Sequence, residues 1–69
     1  MTVQELLAAY AAGERNFVGA DLSFADLFGA DLSGAHFDDA DLSGADFRGA
    51  HLTKAKFRGA KLIGAIGFP

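Results

Sequence analysis

The sequence predicts an all-β solenoid preceded by one short α-helix. Three observations carry that prediction. A large apolar residue recurs every fifth position without an insertion, at Phe17, Leu22, Leu27, Leu32, Phe37, Leu42, Phe47, Leu52, Phe57 and Leu62. Ala stands two residues before each of these except the first, where Arg15 takes its place, and Gly stands two residues after in seven of the ten units. Residues 1–13 show none of this and read as helix. A short fixed period marks a repeat architecture, so it is interpreted before helix or strand is assigned to any single unit.

The N-terminal segment, residues 1–14, comes first. Thr2 and Glu5 have the spacing of a capping box, in which each side chain bonds the other's backbone N–H. Val3, Leu6, Leu7, Tyr10 and Ala11 fall on one helical face, Ala8, Ala9 and Ala12 favour helix, and Gly13 supplies a left-handed stop. A helix over residues 3–12 is too short to persist alone. Its apolar side chains, Val3, Leu6, Leu7 and Tyr10, are therefore expected to cover the first coil as an N-terminal cap, because a bare coil end exposes core and unpaired edges.

Residues 15–66 form the repeat. A period of five fits neither the helical nor the alternating template. Within each unit, Ala and the Leu or Phe are two residues apart, as on one face of an extended segment. The residues between one such pair and the next are polar or Gly, as in turns. Each unit therefore reads as a short extended piece followed by a corner, and a chain that turns a corner every five residues closes into a coil. Stacked coils then satisfy each other's backbone groups. All ten Leu and Phe of the series are expected in the core. Phe24 and Phe28 stand at corner and outward positions and are expected in solvent. A type II corner favours Gly at its third position. Phe24, Asp39 and Lys54 occupy that position in three units, where a different turn is expected.

The runs GADLSFADLFGADLSGA and DADLSGADFRGA resemble the pentapeptide-repeat proteins, and the likeness extends from about Asn16 to Ile66. It implies a right-handed quadrilateral β-helix with one pentapeptide per side, hence about 2.5 coils here. The departures are Arg15 in the first unit and Gly67 where an eleventh Leu or Phe would stand, both at the ends, where terminal repeats are atypical. Some members of that family protect DNA gyrase by mimicking duplex DNA. The resemblance thus brings a DNA-mimicking modulator as an alternative function.

Composition narrows the classes. At 69 residues this is one small domain with a marginal core. It has no cysteine, which removes disulfides, thiol nucleophiles and Cys-based metal sites. No apolar run is long enough to span a membrane and no signal peptide precedes the helix, so a cytoplasmic protein without membrane contact is expected. Seven of the nine acids lie between Asp21 and Asp46, and five of the six bases between Arg48 and Lys61. In a solenoid, sequence position is height along the axis, so the rod is expected to be acidic early and basic late.

Residues twenty apart should stack. That puts Asp38 beside Arg58, expected to pair, and Arg48 between Phe28 and Phe68, an expected cation–π sandwich. It also puts His51 over Asp31 with Ser33 and Thr53 near. Those are the residue types of a hydrolytic triad, but a flat wall has no pocket or oxyanion hole. His36 with Asp38 and Asp39 could hold a metal only weakly, since nothing orients the ligands. No catalytic, metal or cofactor site is expected. The tail, residues 67–69, carries no second helix, and Pro69 is expected to block the ladder without burying anything, which leaves Ile63, Ile66 and Phe68 at an uncovered end. A homodimer through the C-terminal ends is expected there. The expected function is a non-catalytic structural or protein-interaction module whose partner is a protein of unknown identity, not nucleic acid.

Overall fold

The computed structural model describes residues 1–68. Helix α1 spans Val3–Ala11. At its start Glu5 N–H donates to Thr2 Oγ1 at 3.1 Å and Thr2 N–H donates to Glu5 Oε1 at 2.8 Å, so both halves of the capping box form. At its end Gly13 takes a φ of +102°. Gly13 N–H donates to Tyr10 O at 3.0 Å and Glu14 N–H to Ala9 O at 2.9 Å, the paired bonds of a Schellman turn. Ala12 is the C-cap, its N–H shared between Ala8 O and Ala9 O.

Beyond Glu14, among the described residues, no stretch is long enough to be a strand. The extended residues meet instead as isolated parallel bridges between positions twenty apart. They line up as four ladders: Asn16–His36–Lys56, Asp21–Asp41–Lys61, Asp26–Asp46–Ile66 and Asp31–His51. Each is braced by a repeated set of backbone bonds. Phe17 N–H donates to His36 O at 2.8 Å, His36 N–H to Arg15 O at 2.7 Å, and Gly19 N–H to Asp38 O at 2.9 Å. A chain that pairs every unit with its counterpart twenty residues on is a β-helix solenoid.

The corners are uniform. Each Ala N–H from Ala20 to Ala65 donates to the carbonyl of the series residue three before it, at 2.9 to 3.1 Å. The third residue of each turn has positive φ, the type II signature. Phe24, Asp39 and Lys54 adopt it too, at 59°, 60° and 62°. The different turn expected at those three positions does not occur. Ladders on both sides of the corner dictate its shape and override a local strain of about 1–2 kcal/mol per residue.

Phe17, Leu22, Leu27, Leu32, Phe37, Leu42 and Phe47 are buried, with Ala25, Ala35, Ala40 and Ala45 beside them. The rings of Phe17, Phe37 and Phe57 stack with centroids 5.7 and 5.5 Å apart. Leu52, Phe57 and Leu62 are only half-buried, a correction to the expectation that the whole series is enclosed. They belong to the last turn, which has a neighbour on one side alone. Phe24 and Phe28 are exposed at 81% and 65%.

At the other end α1 places Leu6 wholly inside the same cluster, with Val3 and Tyr10 partly packed against it. Leu7 is 41% exposed and does not join the buried face. It lies about 100° round the helix from Leu6, past the edge of the stripe made by Val3, Leu6 and Tyr10. Tyr10 Oη donates to Ser33 O at 2.7 Å. Arg15 fills the place of the missing Ala with a different task. Its guanidinium lies 3.5 Å from the Tyr10 ring centre and donates to Tyr10 O at 2.9 Å, supplying the cation that the helix C-terminus lacks in its own last turn.

Candidate interaction surfaces

The outward faces are built by one local device. The Oδ1 atoms of Asn16, Asp21, Asp26, Asp31, Asp41 and Asp46 each accept the backbone N–H two residues on, at 3.0 to 3.2 Å. The short side chain satisfies an amide that faces away from both neighbouring turns. These amide donors hold the carboxyls of Asp21 and Asp31 below the usual range, and for Asp46 the Arg48 side chain is the larger cause. Most of the acidic surface is thus turn architecture. The sequence signal is the Asp or Asn two residues before each such amide, in Asp-Leu-Ser, Asp-Leu-Phe, Asp-Phe-Arg and Asn-Phe-Val alike.

In the unit of Lys56, where the repeat loses its Asp, the pattern adapts. Lys56 cannot accept, and Arg58 N–H finds Asp38 Oδ1 of the preceding turn at 3.1 Å. Asp38 therefore holds the Arg58 amide, and the expected side-chain ion pair is not formed. Among the described residues the ion pair that does form is Asp46–Arg48, at 2.7 Å and exposed to solvent that screens it. Arg48 also sits 5.6 Å from the Phe28 ring centre. The second half of the expected sandwich is absent, because Phe68 points elsewhere.

His51 bridges to Asp31 along one ladder, and Asp31 Oδ1 is engaged by Ser33 N–H at 3.1 Å. His36 sits between Asn16 and Lys56. Among the described residues no group of three or more His, Asp or Glu is placed to hold a metal ion. Among the described residues no helix is long and apolar enough to cross a membrane.

The last turn leaves apolar side chains open to solvent. Gly67 occupies the series position with φ +71° and packs against the Arg48 backbone. The chain turns there and brings Phe68 onto the open end, edge-on to Phe57 at 4.8 Å and to Phe47 at 5.4 Å between centroids. Phe68 thereby does the work of the missing eleventh Leu or Phe, though 36% of it stays exposed. Ile63 and Ile66 remain 85% and 49% exposed. Pro69, expected to block the ladder, lies outside the described residues. Lys54, Lys56, Arg58 and Lys61 all stand exposed on the same turn, and Asp38, Lys56, Phe57 and Arg58 line a shallow depression of about 380 Å³.

Comparison with known proteins agrees with this geometry. The family model described as Pentapeptide repeats (8 copies) matches residues 16–53 and 30–66. The crystal structure of alr5209, a pentapeptide repeat protein from Nostoc PCC 7120, is similar to this chain at 29% identity and a TM-score of 0.56, covering 93% of this chain and 74% of that one. No curated protein matches the sequence. With five-residue units running unbroken from Asn16 to Ile66 and that family model covering the same span, the chain belongs to the pentapeptide repeat family.

Proposed function

We propose that this chain is a non-catalytic protein-interaction module, a right-handed four-sided β-helix of about 2.5 coils that α1 closes at one end and that meets its partner at the other. The observation that carries the reading is the difference between the ends. Leu6 of α1 is fully buried at one end, whereas at the other Leu52, Phe57 and Leu62 are half-open and Ile63 and Ile66 face solvent. Flat faces without an enclosed, apolar cleft offer a small substrate little to bind. An exposed apolar patch at a solenoid end is a protein-docking surface.

Within that reading, a second copy is one occupant of the apolar sector. A two-fold axis at the C-terminal end sets Ile63, Ile66 and Phe68 against their counterparts and lengthens the core. Burial at about 25 cal/mol per Å² works against the screened repulsion of exposed bases. Sedimentation at high concentration and moderate salt is expected to show a dimer that Ile63→Asp abolishes; a wild-type monomer would remove the homodimer. Sub-micromolar binding of duplex DNA at low salt would overturn the protein-module reading itself. Inhibition of gyrase supercoiling by excess protein would put the DNA-mimicking alternative in its place.

A further inference from the structure

The last turn carries a second unsatisfied surface, on the ladder opposite Ile66 and Phe68. Along the Asn16 ladder each turn donates two amides to the next and accepts one. Phe37 N–H donates to Lys56 O at 2.8 Å, Asp39 N–H to Arg58 O at 2.9 Å, and Lys56 N–H to Ala35 O at 2.9 Å. One turn later the matching groups are Phe57 N–H, Gly59 N–H and the Ala55 carbonyl, and among the described residues none has a backbone partner. They form a short strand edge whose donors and acceptor already have the spacing of the rung below. Phe68 fills the centre of the turn beside Phe57 but leaves this rim open.

Charge says what fits the rim. Asp38 lies beneath Arg58, and Asp41 is bridged to Lys61. On this side of the rod an acidic rung is followed by a basic one, and no described residue pairs with the basic rung's outer edge. Lys54, Lys56, Arg58 and Lys61 are all exposed around it. We propose that the edge at Phe57 and Gly59 docks an acidic, extended segment of a partner protein as an added rung, with its carboxylates against Lys56 and Arg58. The depression lined by Asp38, Lys56, Phe57 and Arg58 opens beside the edge and receives one side chain of that rung.

A second copy is a poor occupant of this sector. Contact between two last turns at this edge sets bases against bases. The middle turn, with Asp38, Asp39, Asp41 and Asp46, is paired on both sides. The first turn, with Asp21, Asp26 and Asp31, lies against α1, whose N-terminal amine donates to Asp21 O and whose Tyr10 Oη donates to Ser33 O. Nucleic acid satisfies the charges, but its phosphates have no donor for the Ala55 carbonyl. The inference rests on the protein-module reading and names the partner's chemistry on a different sector from the dimer.

The test uses the whole chain with three probes: a short capped peptide alternating Glu with small apolar residues, the same peptide with Lys for Glu, and single-stranded DNA. The acidic peptide is expected to bind and to slow hydrogen exchange at the Phe57 and Gly59 amides, while the basic peptide does neither. Lys56→Glu with Arg58→Glu, folded by its melting curve, is expected to bind about tenfold more weakly, the size of two attractive pairs turned repulsive. Arg48→Gln, on another ladder, is expected to bind as wild type. Equal binding by the double variant, or binding without protection at Phe57 and Gly59, overturns the proposal. So does DNA binding tighter than the peptide. A failed peptide alongside an intact sedimentation dimer overturns this site alone and leaves the protein-module reading standing.

Discussion

The ring of Phe24 lies across Gly44 of the following turn. A Cβ on Gly44 would stand 2.5 Å from Cδ1 of Phe24 and 2.6 Å from Cε1. The same relation recurs one corner column away, where the Asp39 carboxylate occupies the space a side chain on Gly59 would need. A bulky corner residue is thus received by a glycine twenty positions later. Gly44→Ala is expected to cost about 1–2 kcal/mol for its φ of +71° and a further amount for moving the ring. Gly34→Ala, with φ +75° and nothing within 4 Å, isolates the backbone part. The excess at position 44 should vanish in Phe24→Ala with Gly44→Ala, measured as a double-mutant cycle by denaturant unfolding. An excess that persists without the ring would show that the contact is irrelevant.

Phe37 is the middle of the aromatic stack and is wholly enclosed. Phe37→Ala is expected to destabilise by about 3–5 kcal/mol, comparable to the entire stability of so small a domain. Phe57→Ala should cost clearly less, since Phe57 is half-buried on the last turn. Equal losses in thermal or urea unfolding would mean that the last turn is as enclosed as the centre.

Removing residues 1–13 takes away Leu6 and the bond from Tyr10 to Ser33 O. The freed edge and apolar surface are expected to make the shortened protein aggregate. A soluble deletion variant with unchanged melting would assign α1 some role other than closing the first turn.

Gly67→Ala would set a Cβ 2.6 Å from Arg48 N and 2.7 Å from Arg48 Cα, against backbone that has little room to move. The expected result is that Phe68 lifts from Phe57 and the end opens. Binding of a hydrophobic dye should rise while the far-ultraviolet circular dichroism stays constant. Dye binding equal to wild type would separate the position of Phe68 from the turn at Gly67.

Amide donors hold Glu5, Glu14, Asp21 and Asp31 below their ordinary values, and Arg48 does so for Asp46. A carboxyl depressed in the folded state contributes stability that is complete above its unfolded value and lost as pH falls through its folded one. The ordinary values are 3.8 for Asp and 4.5 for Glu. Melting temperature should therefore be flat from neutrality to about pH 5 and decline progressively below it. Asp21→Asn keeps the acceptor without the charge, as Asn16 already does for Val18, and should weaken the acid dependence. A melting temperature that rises on acidification would contradict the amide bonds as its source.

What the sequence determined by itself was whatever depends on a few adjacent residues. The five-residue spacing of Leu and Phe determined that the chain coils, and Thr2, Glu5 and Gly13 determined where α1 begins and stops. Asp-Leu-Ser determined the side-chain bond to the amide two residues on. What only the tertiary structure decided was everything set by a partner twenty residues away or by the end of the stack. Phe24, Asp39 and Lys54 accept a left-handed φ because ladders on either side hold the corner. Asp38 takes the Arg58 amide because Lys56 offers no acceptor. Leu7 stays in solvent because the curved end of the coil accommodates only the stripe of Val3, Leu6 and Tyr10. Phe68 turns inward, away from Arg48, because the last turn leaves Phe57 half-open and burying a ring there stabilises more than an exposed cation–π contact.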